Sequence, residues 1–189
     1  MKFALCGSHG TGKTTVWSAL AARRPAWYFL SEATRWLVPL VGYNSPWEIV
    51  EEFGVAYYET MLLSQWSVID TGVNEEEGRV PCVLDRSPID NLAYYLVYRS
   101  TAEERYEKIL VALAKHYASM ITWHYYFPIA RFQVVADGMR RTDGQREVAE
   151  CIQKLLKDFR ARVSVVEPVA RAERVDYILS DIESRLRLE

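Results

Sequence analysis

The chain has 189 residues, half of them hydrophobic and a quarter charged, with 23 basic against 25 acidic residues for a net charge of −2. That composition excludes a disordered or fibrous chain, and the balance of charge gives no overall pull toward nucleic acid or an anionic membrane. No apolar run approaches a membrane span, Cys6, Cys82 and Cys151 form no C-x-x-C pair and have no His spacing suited to zinc, and nothing asks for an oxidising compartment, so a single domain over 1–189 in the cytoplasm is expected.

The first predicted element is a strand over Lys2–Cys6, followed by a glycine-rich turn and a helical pattern from Thr14 to Ala22. The turn interrupts the apolar run too soon for a signal peptide. Further strand-like runs fall at Trp27–Leu30, Val80–Leu84, Met120–Phe127 and Val163–Val166, with helical patterns between them. Such alternation predicts a parallel sheet covered by helices. One insertion runs from Ser45 to Gly72 and is read as a helix opened by Ser45-Pro46, with Phe53, Tyr57, Met61 and Ser64 on one face. Glu75-Glu-Glu77 reads as a solvated turn. A second insertion, 130–146, is rich in Gly, Asp and Arg without a clear period and is read as a loop. No internal repeat is visible.

The chemistry begins in the first turn, where Gly7, Gly12, Lys13 and Thr14 fill the template G-x-x-x-x-G-K-[ST] between a strand and a helix. Glycines there allow successive backbone N–H groups to turn inward on a phosphate at the positive end of a helix. Gly10, Thr11 and Thr15 complete the nucleotide-binding turn. Lys13, expected to face solvent, would reach the β- and γ-phosphates of ATP, and the Thr14 hydroxyl would join the shell of a Mg²⁺ ion. His9 is taken as a variable position of the turn, and His116 and the aromatic run Trp123–Phe127 as packing.

Ligands of open α/β sheets bind beyond the carboxyl ends of the strands, which directs attention to Ser31-Glu-Ala-Thr-Arg35 and Asp85-Arg-Ser-Pro88. Phosphoryl transfer needs cations on the equatorial oxygens, a held metal and a carboxylate for the incoming hydroxyl. Asp85 is placed as the Mg²⁺ ligand and Glu32 as the base, and the two roles are interchangeable at this stage. Arg86 and Arg35 accompany them. Trp36, Tyr43, Trp47, Tyr57, Tyr58 and Trp66 cluster where an acceptor should sit, and the amide of Gln65 is suited to reading a base edge. In 130–146 the glycines serve as hinges, and Arg140, Arg141 and Arg146 are suited to a bidentate grip on phosphate as a lid.

The turn Gly7-x-x-Gly10-x-Gly12-Lys13-Thr14, Glu32-Ala33-x-Arg35, and Asp85-Arg86-Ser87-Pro88-x-Asp90 together resemble the P-loop nucleoside and nucleotide kinase superfamily. The chain is similar to thymidylate kinases and deoxynucleoside kinases, and most similar to the ATPase/kinase family typified by the nicotinamide-riboside kinase domain. The resemblance covers nearly the whole chain. It implies a five-stranded parallel sheet in the order 2-3-1-4-5, ATP and Mg²⁺ at the P-loop, an acceptor between the helices after strands two and three, and an arginine-rich lid. It also implies base and metal roles for Glu32 and Asp85, and contact of Arg86 with the acceptor. Deoxynucleoside kinases carry proline where this chain has Ala33, and the spacing of Arg140-Arg141 and Arg146 departs from their lid.

The expected activity is transfer of the ATP γ-phosphate to a nucleoside, nucleotide or related acceptor. One alternative is a phage-type kinase acting on 5-hydroxymethyl-deoxyuridine in DNA. Another is a nucleotide-dependent switch, although neither N-K-x-D nor L-S-G-G-Q occurs in the chain. A homodimer is left open.

Overall fold

The computed structural model describes residues 1–72, 80–129, 143–167 and 169–188. Five strands, β1 (Lys2–Cys6), β2 (Tyr28–Leu30), β3 (Cys82–Asp85), β4 (Trp123–Tyr126) and β5 (Val163–Val165), form one parallel sheet in the order β2-β3-β1-β4-β5. β1 is central and apolar on both sides because helices cover both faces. Phe3, Leu5, Val83 and Tyr125 pack toward α1 (Lys13–Arg23) and α8 (Arg171–Leu186). Ala4, Cys6, Cys82, Leu84 and Tyr126 face the opposite core, built on α4 (Val55–Gly72), α5 (Pro88–Tyr98), α6 (Glu107–Ser119) and α7 (Gln145–Asp158). Cys6 and Cys82 are buried core residues and all three cysteines are free.

A third, smaller cluster of Leu37, Val38, Ile49, Tyr58 and Leu62 joins α2 (Thr34–Leu40), α3 (Pro46–Phe53) and α4 beside the sheet's carboxyl edge. The single helix expected over Ser45–Gly72 is two. Ser45 caps α3, its hydroxyl accepting from the Glu48 N–H at 3.3 Å, and Pro46 sits in the first turn. Gly54, at φ 86, then breaks the path, a conformation that a residue with a side chain adopts only at a cost. The break lets α4 run at its own angle and bring Tyr58 and Glu59 inward.

Several element boundaries also shift by a residue or more, and two of the shifts have a clear cause. The run Met120–Phe127 yields only Trp123–Tyr126 as strand, since its first residues close the end of α6. Gln145 and Arg146, read as loop, start α7, whose apolar residues Val148, Ile152, Leu155 and Leu156 recur at helical spacing and are buried. Residues 130–142, with Arg140 and Arg141, and the Glu75–Glu77 turn lie outside the described residues. Among those described, no helix is long and apolar enough to cross a membrane.

Candidate active site

The turn after β1 is bent by three glycines with positive φ: Gly7 at 143°, Gly10 at 71° and Gly12 at 87°. At Gly7 the requirement is also spatial, because a Cβ would stand 2.5 Å from the Phe127 carbonyl oxygen. Gly12 forms the N-cap of α1 with no side-chain cap, so the helix's first N–H groups are available to an anion.

Lys13 does not face solvent as expected. It is only 5% exposed, and its Nζ donates to the carbonyls of Gly7 and Ser8 at 2.7 Å and to Thr11 Oγ1 at 3.3 Å. Burial, followed by the nearby Arg86, pulls its ammonium down to about 8, against Asp90, Asp85 and Glu32, which favour the charge. Thr14 is half-buried and Thr15 exposed on the first turn of α1.

Asp90 ties this turn to α5. Its Oδ1 accepts from the Gly7 N–H at 2.9 Å, and its Oδ2 accepts from the Ser87 N–H at 2.9 Å and Ser87 Oγ at 2.7 Å, within a capping box. Pro88 fills the first turn of the same helix. Asp90 entered the sequence reading only as part of a family motif, and its long-range bond to Gly7 was not foreseen.

Asp85 ends β3 and is buried. Neither carboxylate oxygen has a hydrogen-bond partner of good geometry among the described residues, although the Thr14 hydroxyl stands near enough to favour the ionised form. Burial, then the charge of Glu32, raises the Asp85 pKa. A buried, unsatisfied carboxylate beside a threonine hydroxyl at the mouth of the turn is the donor set that a hard divalent cation takes, so the residues present fit Mg²⁺.

Glu32, after β2, pairs with Arg86, Oε1 to Nε at 2.5 Å. Burial alone would raise the Glu32 pKa, but Arg86, Lys13 and Arg35 outweigh it and hold the carboxyl below its usual value. Arg86 itself has a left-handed backbone, φ 93, and its guanidinium lies 5.0 Å from the centre of the Tyr94 ring. Tyr94 in turn reaches the P-loop: its hydroxyl accepts from the His9 N–H at 3.1 Å and lies 3.1 Å from His9 Nδ1. The His9 carbonyl accepts from Gln145 Nε2 at 2.7 Å. His9, through its backbone N–H and carbonyl and its ring, is thus a junction between the turn, α5 and α7.

Between the turn and the helices α3, α4 and α5 lies a cavity. Glu32, Arg86, His9 and Tyr94 line its phosphate end, while Trp47 and Tyr98 form an aromatic wall, with ring centres 6.1 Å apart. Tyr58 lines it as expected, its hydroxyl 2.9 Å from Thr34 Oγ1. Glu59, Asn91 and Leu62 line it too, none of which the sequence singled out. Trp36 does not line it and is 46% exposed on α2. Arg35 is exposed beside Glu32, and the Gln65 side chain lies outside the described residues. Arg146 is exposed in the first turn of α7. On the far side of the turn Arg174, from α8, donates from Nη1 to the Thr11 carbonyl at 3.2 Å and packs over Gly12, a contact that sequence reasoning also missed.

A sheet ordered β2-β3-β1-β4-β5, a glycine turn leading from β1 into α1 and an acid at the end of β3 define a P-loop fold. A family model described as an AAA domain matches residues 2–174, and the chain belongs to that family. Among solved structures it is similar to NadR protein in complex with NR, at 17% identity and a TM-score of 0.72, covering 97% of this chain and 50% of that one. The chain therefore spans about half the length of the NadR protein. It is similar as well to deoxyadenosine kinase from M. mycoides with dCMP and a flexible dCDP bound (14% identity, TM-score 0.63, 97% and 100% coverage) and to thymidylate kinase from Candida albicans (13%, 0.68, 100% and 93%). At these identities the likeness is one of fold. The comparison with curated protein sequences gives no match.

Proposed function

We propose that the protein is a kinase that transfers the γ-phosphate of ATP to a hydroxyl of a nucleoside- or nucleotide-like acceptor held in the cavity between α3, α4 and α5. The observation that carries this reading is the buried Glu32–Arg86 pair at the end of the cavity nearest the P-loop. A switch needs no second cavity with a charged pair at its phosphate end, whereas a kinase does. Structures of similar fold that hold NR or deoxynucleotides favour the same class of acceptor.

In this reading the N–H groups of Gly10, Thr11, Gly12, Thr14 and Thr15 and the Lys13 ammonium bind the phosphates of ATP. Asp85 and Thr14 would hold Mg²⁺, which when bound neutralises charge on the β- and γ-phosphates. Glu32, held ionised and oriented by Arg86, accepts the acceptor's hydroxyl proton as the new O–P bond forms and the bond to ADP breaks. Arg86 faces the transferring group. Arg140, Arg141 and Arg146 are assigned to the outer phosphate oxygens on the strength of the sequence, and a cytoplasmic location goes with the ATP supply this chemistry needs.

The test is a panel of nucleosides, nucleotides and hydroxymethyl-deoxyuridine-containing DNA incubated with labelled ATP. Label that moves to a small acceptor supports the reading. Label only on DNA transfers the acceptor to the polymer, and hydrolysis indifferent to every acceptor overturns the kinase reading in favour of a switch.

A further inference from the structure

The cavity wall carries a polar arrangement that phosphoryl transfer itself does not use. Glu59, from α4, is 3% exposed and Asn91, from α5, is 7% exposed, and both line the cavity. Trp66 fixes the orientation of the Asn91 amide. An indole N–H only donates, so the Asn91 oxygen must face it, at 3.4 Å from Trp66 Nε1. Asn91 Nδ2 is then the atom that points to Glu59, donating to its Oε2 at 3.1 Å. With Oε2 acting as acceptor, Oε1 is left with no hydrogen-bond partner among the described residues. Among the described residues no ion pair is made to this carboxyl, and Arg86 acts on it only through its field. An ionised carboxylate buried without a cation is far costlier than a neutral acid.

Resting on the kinase reading above, we propose that Glu59 is the specificity-determining residue of the acceptor site, holding its proton on Oε1 and donating it to a carbonyl oxygen of an uncharged ring such as a lactam nucleobase. Asn91 and Trp66 are positioning residues that dictate which Glu59 oxygen donates. The aromatic wall of Trp47 and Tyr98 supplies flat apolar surface for the ring. The same arrangement rejects a ring that presents an amino group there, because two donors would meet in a dry site.

The groups around Glu59 agree with a neutral acid. Burial is the largest influence and pushes its pKa up to about 8. The Asn91 hydrogen bond and Arg86 act against this, while Glu32 and Asp90 push further upward. The neighbouring Tyr58 hydroxyl has its own pKa raised and stays neutral. The acid is therefore protonated at neutral pH and loses its proton as pH rises through about 8.

The experiment measures steady-state kinetics and calorimetric binding with uridine and inosine, which carry a ring carbonyl, against cytidine and adenosine, which carry an amino group. Wild type, Glu59→Gln and Glu59→Leu are compared from pH 6.5 to 9.5, with ATP affinity and Tm recorded for each. Glutamine keeps a donor and an acceptor without a charge. Expected are a preference for uridine or inosine, a KM for them in Glu59→Gln close to the wild-type value at pH 7, and a rise in KM as pH passes 8 that is steeper in the wild type than in Glu59→Gln. Glu59→Leu should raise KM roughly tenfold or more while kcat and ATP affinity change little. A loss in Glu59→Gln as large as in Glu59→Leu, a preference for the amino nucleosides, or no binding of any of the four by protein that binds ATP overturns the inference. Failure to bind ATP at all would instead remove the kinase reading beneath it.

Discussion

Replacing Asp90 with alanine tests whether one carboxylate both builds the P-loop and tunes its lysine. Two buried N–H groups, of Gly7 and Ser87, each donate to Asp90 at 2.9 Å and would lose their acceptor. A buried donor left unsatisfied costs about 1–3 kcal/mol, so the pair puts the loss at roughly 4 kcal/mol, or about 10 °C in Tm for a chain of this size. The second effect is electrostatic. Asp90 is the foremost of the carboxylates that keep Lys13 charged against burial and Arg86, with Lys13 already down at about 8. Without Asp90 the Lys13 pKa falls further. A lysine is charged below its pKa, so the variant should lose ATP affinity at a lower pH than the wild type does. Differential scanning fluorimetry reads the first effect, and calorimetric titration of ATP between pH 6.5 and 9 reads the second. A Tm within 2 °C of wild type together with an unshifted pH profile would refute both halves of the reasoning.

Lys13→Ala should abolish phosphoryl transfer yet change stability by no more than about 1 kcal/mol, because the bonds lost to the Gly7 and Ser8 carbonyls are offset by no longer burying an ammonium; circular dichroism melts and an ADP-release assay check this together. Asp85→Asn should raise the Mg²⁺ concentration needed for half-maximal rate and be partly rescued by Mn²⁺, whereas Glu32→Gln should leave the Mg²⁺ dependence alone and cut kcat by roughly 10²–10⁴-fold; reversed phenotypes would exchange the two roles. His124 gives a stability prediction away from the site. Burial in the β4 core holds its pKa at about 4, below the 6.5 of an unfolded chain. The unfolded state therefore binds more protons, and stability that is full above pH 6.5 drains away as pH falls through 4. Urea melts of wild type and His124→Leu should diverge in favour of the variant by up to about 3 kcal/mol between pH 7 and 4, and parallel profiles would show that His124 does not titrate so low.

The parallel, helix-covered sheet and the phosphate turn could be read from the sequence because they depend on local pattern, short apolar runs and glycines at fixed offsets, whereas the strand order followed only from the resemblance to a known superfamily. The Glu32–Arg86 pair was half legible. Both residues were named from their positions after strands, but nothing in the spacing said that they pair with one another. Glu59 and Asn91 were missed because their significance is a matter of burial. A glutamate between Tyr58 and Thr60 on a helix reads as a surface residue until the break at Gly54 turns that helix inward. Trp36 went the other way. It sits two residues beyond Thr34, which lines the cavity, but like Arg35 it falls on the exposed face of α2. Lys13 was misplaced because a lysine in a glycine turn looks exposed, whereas the turn folds its own carbonyls around the ammonium.

The position of β1 in the sheet has a consequence for how the molecule comes together in time. Phe3 is paired on one side with Val83 and on the other with Trp123, so the strand that leads into the P-loop waits for two partners laid down much later in the chain. Until both arrive it is a bare apolar ribbon with open edges, the kind of segment that invites mispairing with other chains. Closing two such long loops is slow relative to forming helices. The phosphate turn should thus be among the last parts of the protein to become ordered during refolding, and the capacity to bind ATP should appear after most of the helical signal has recovered.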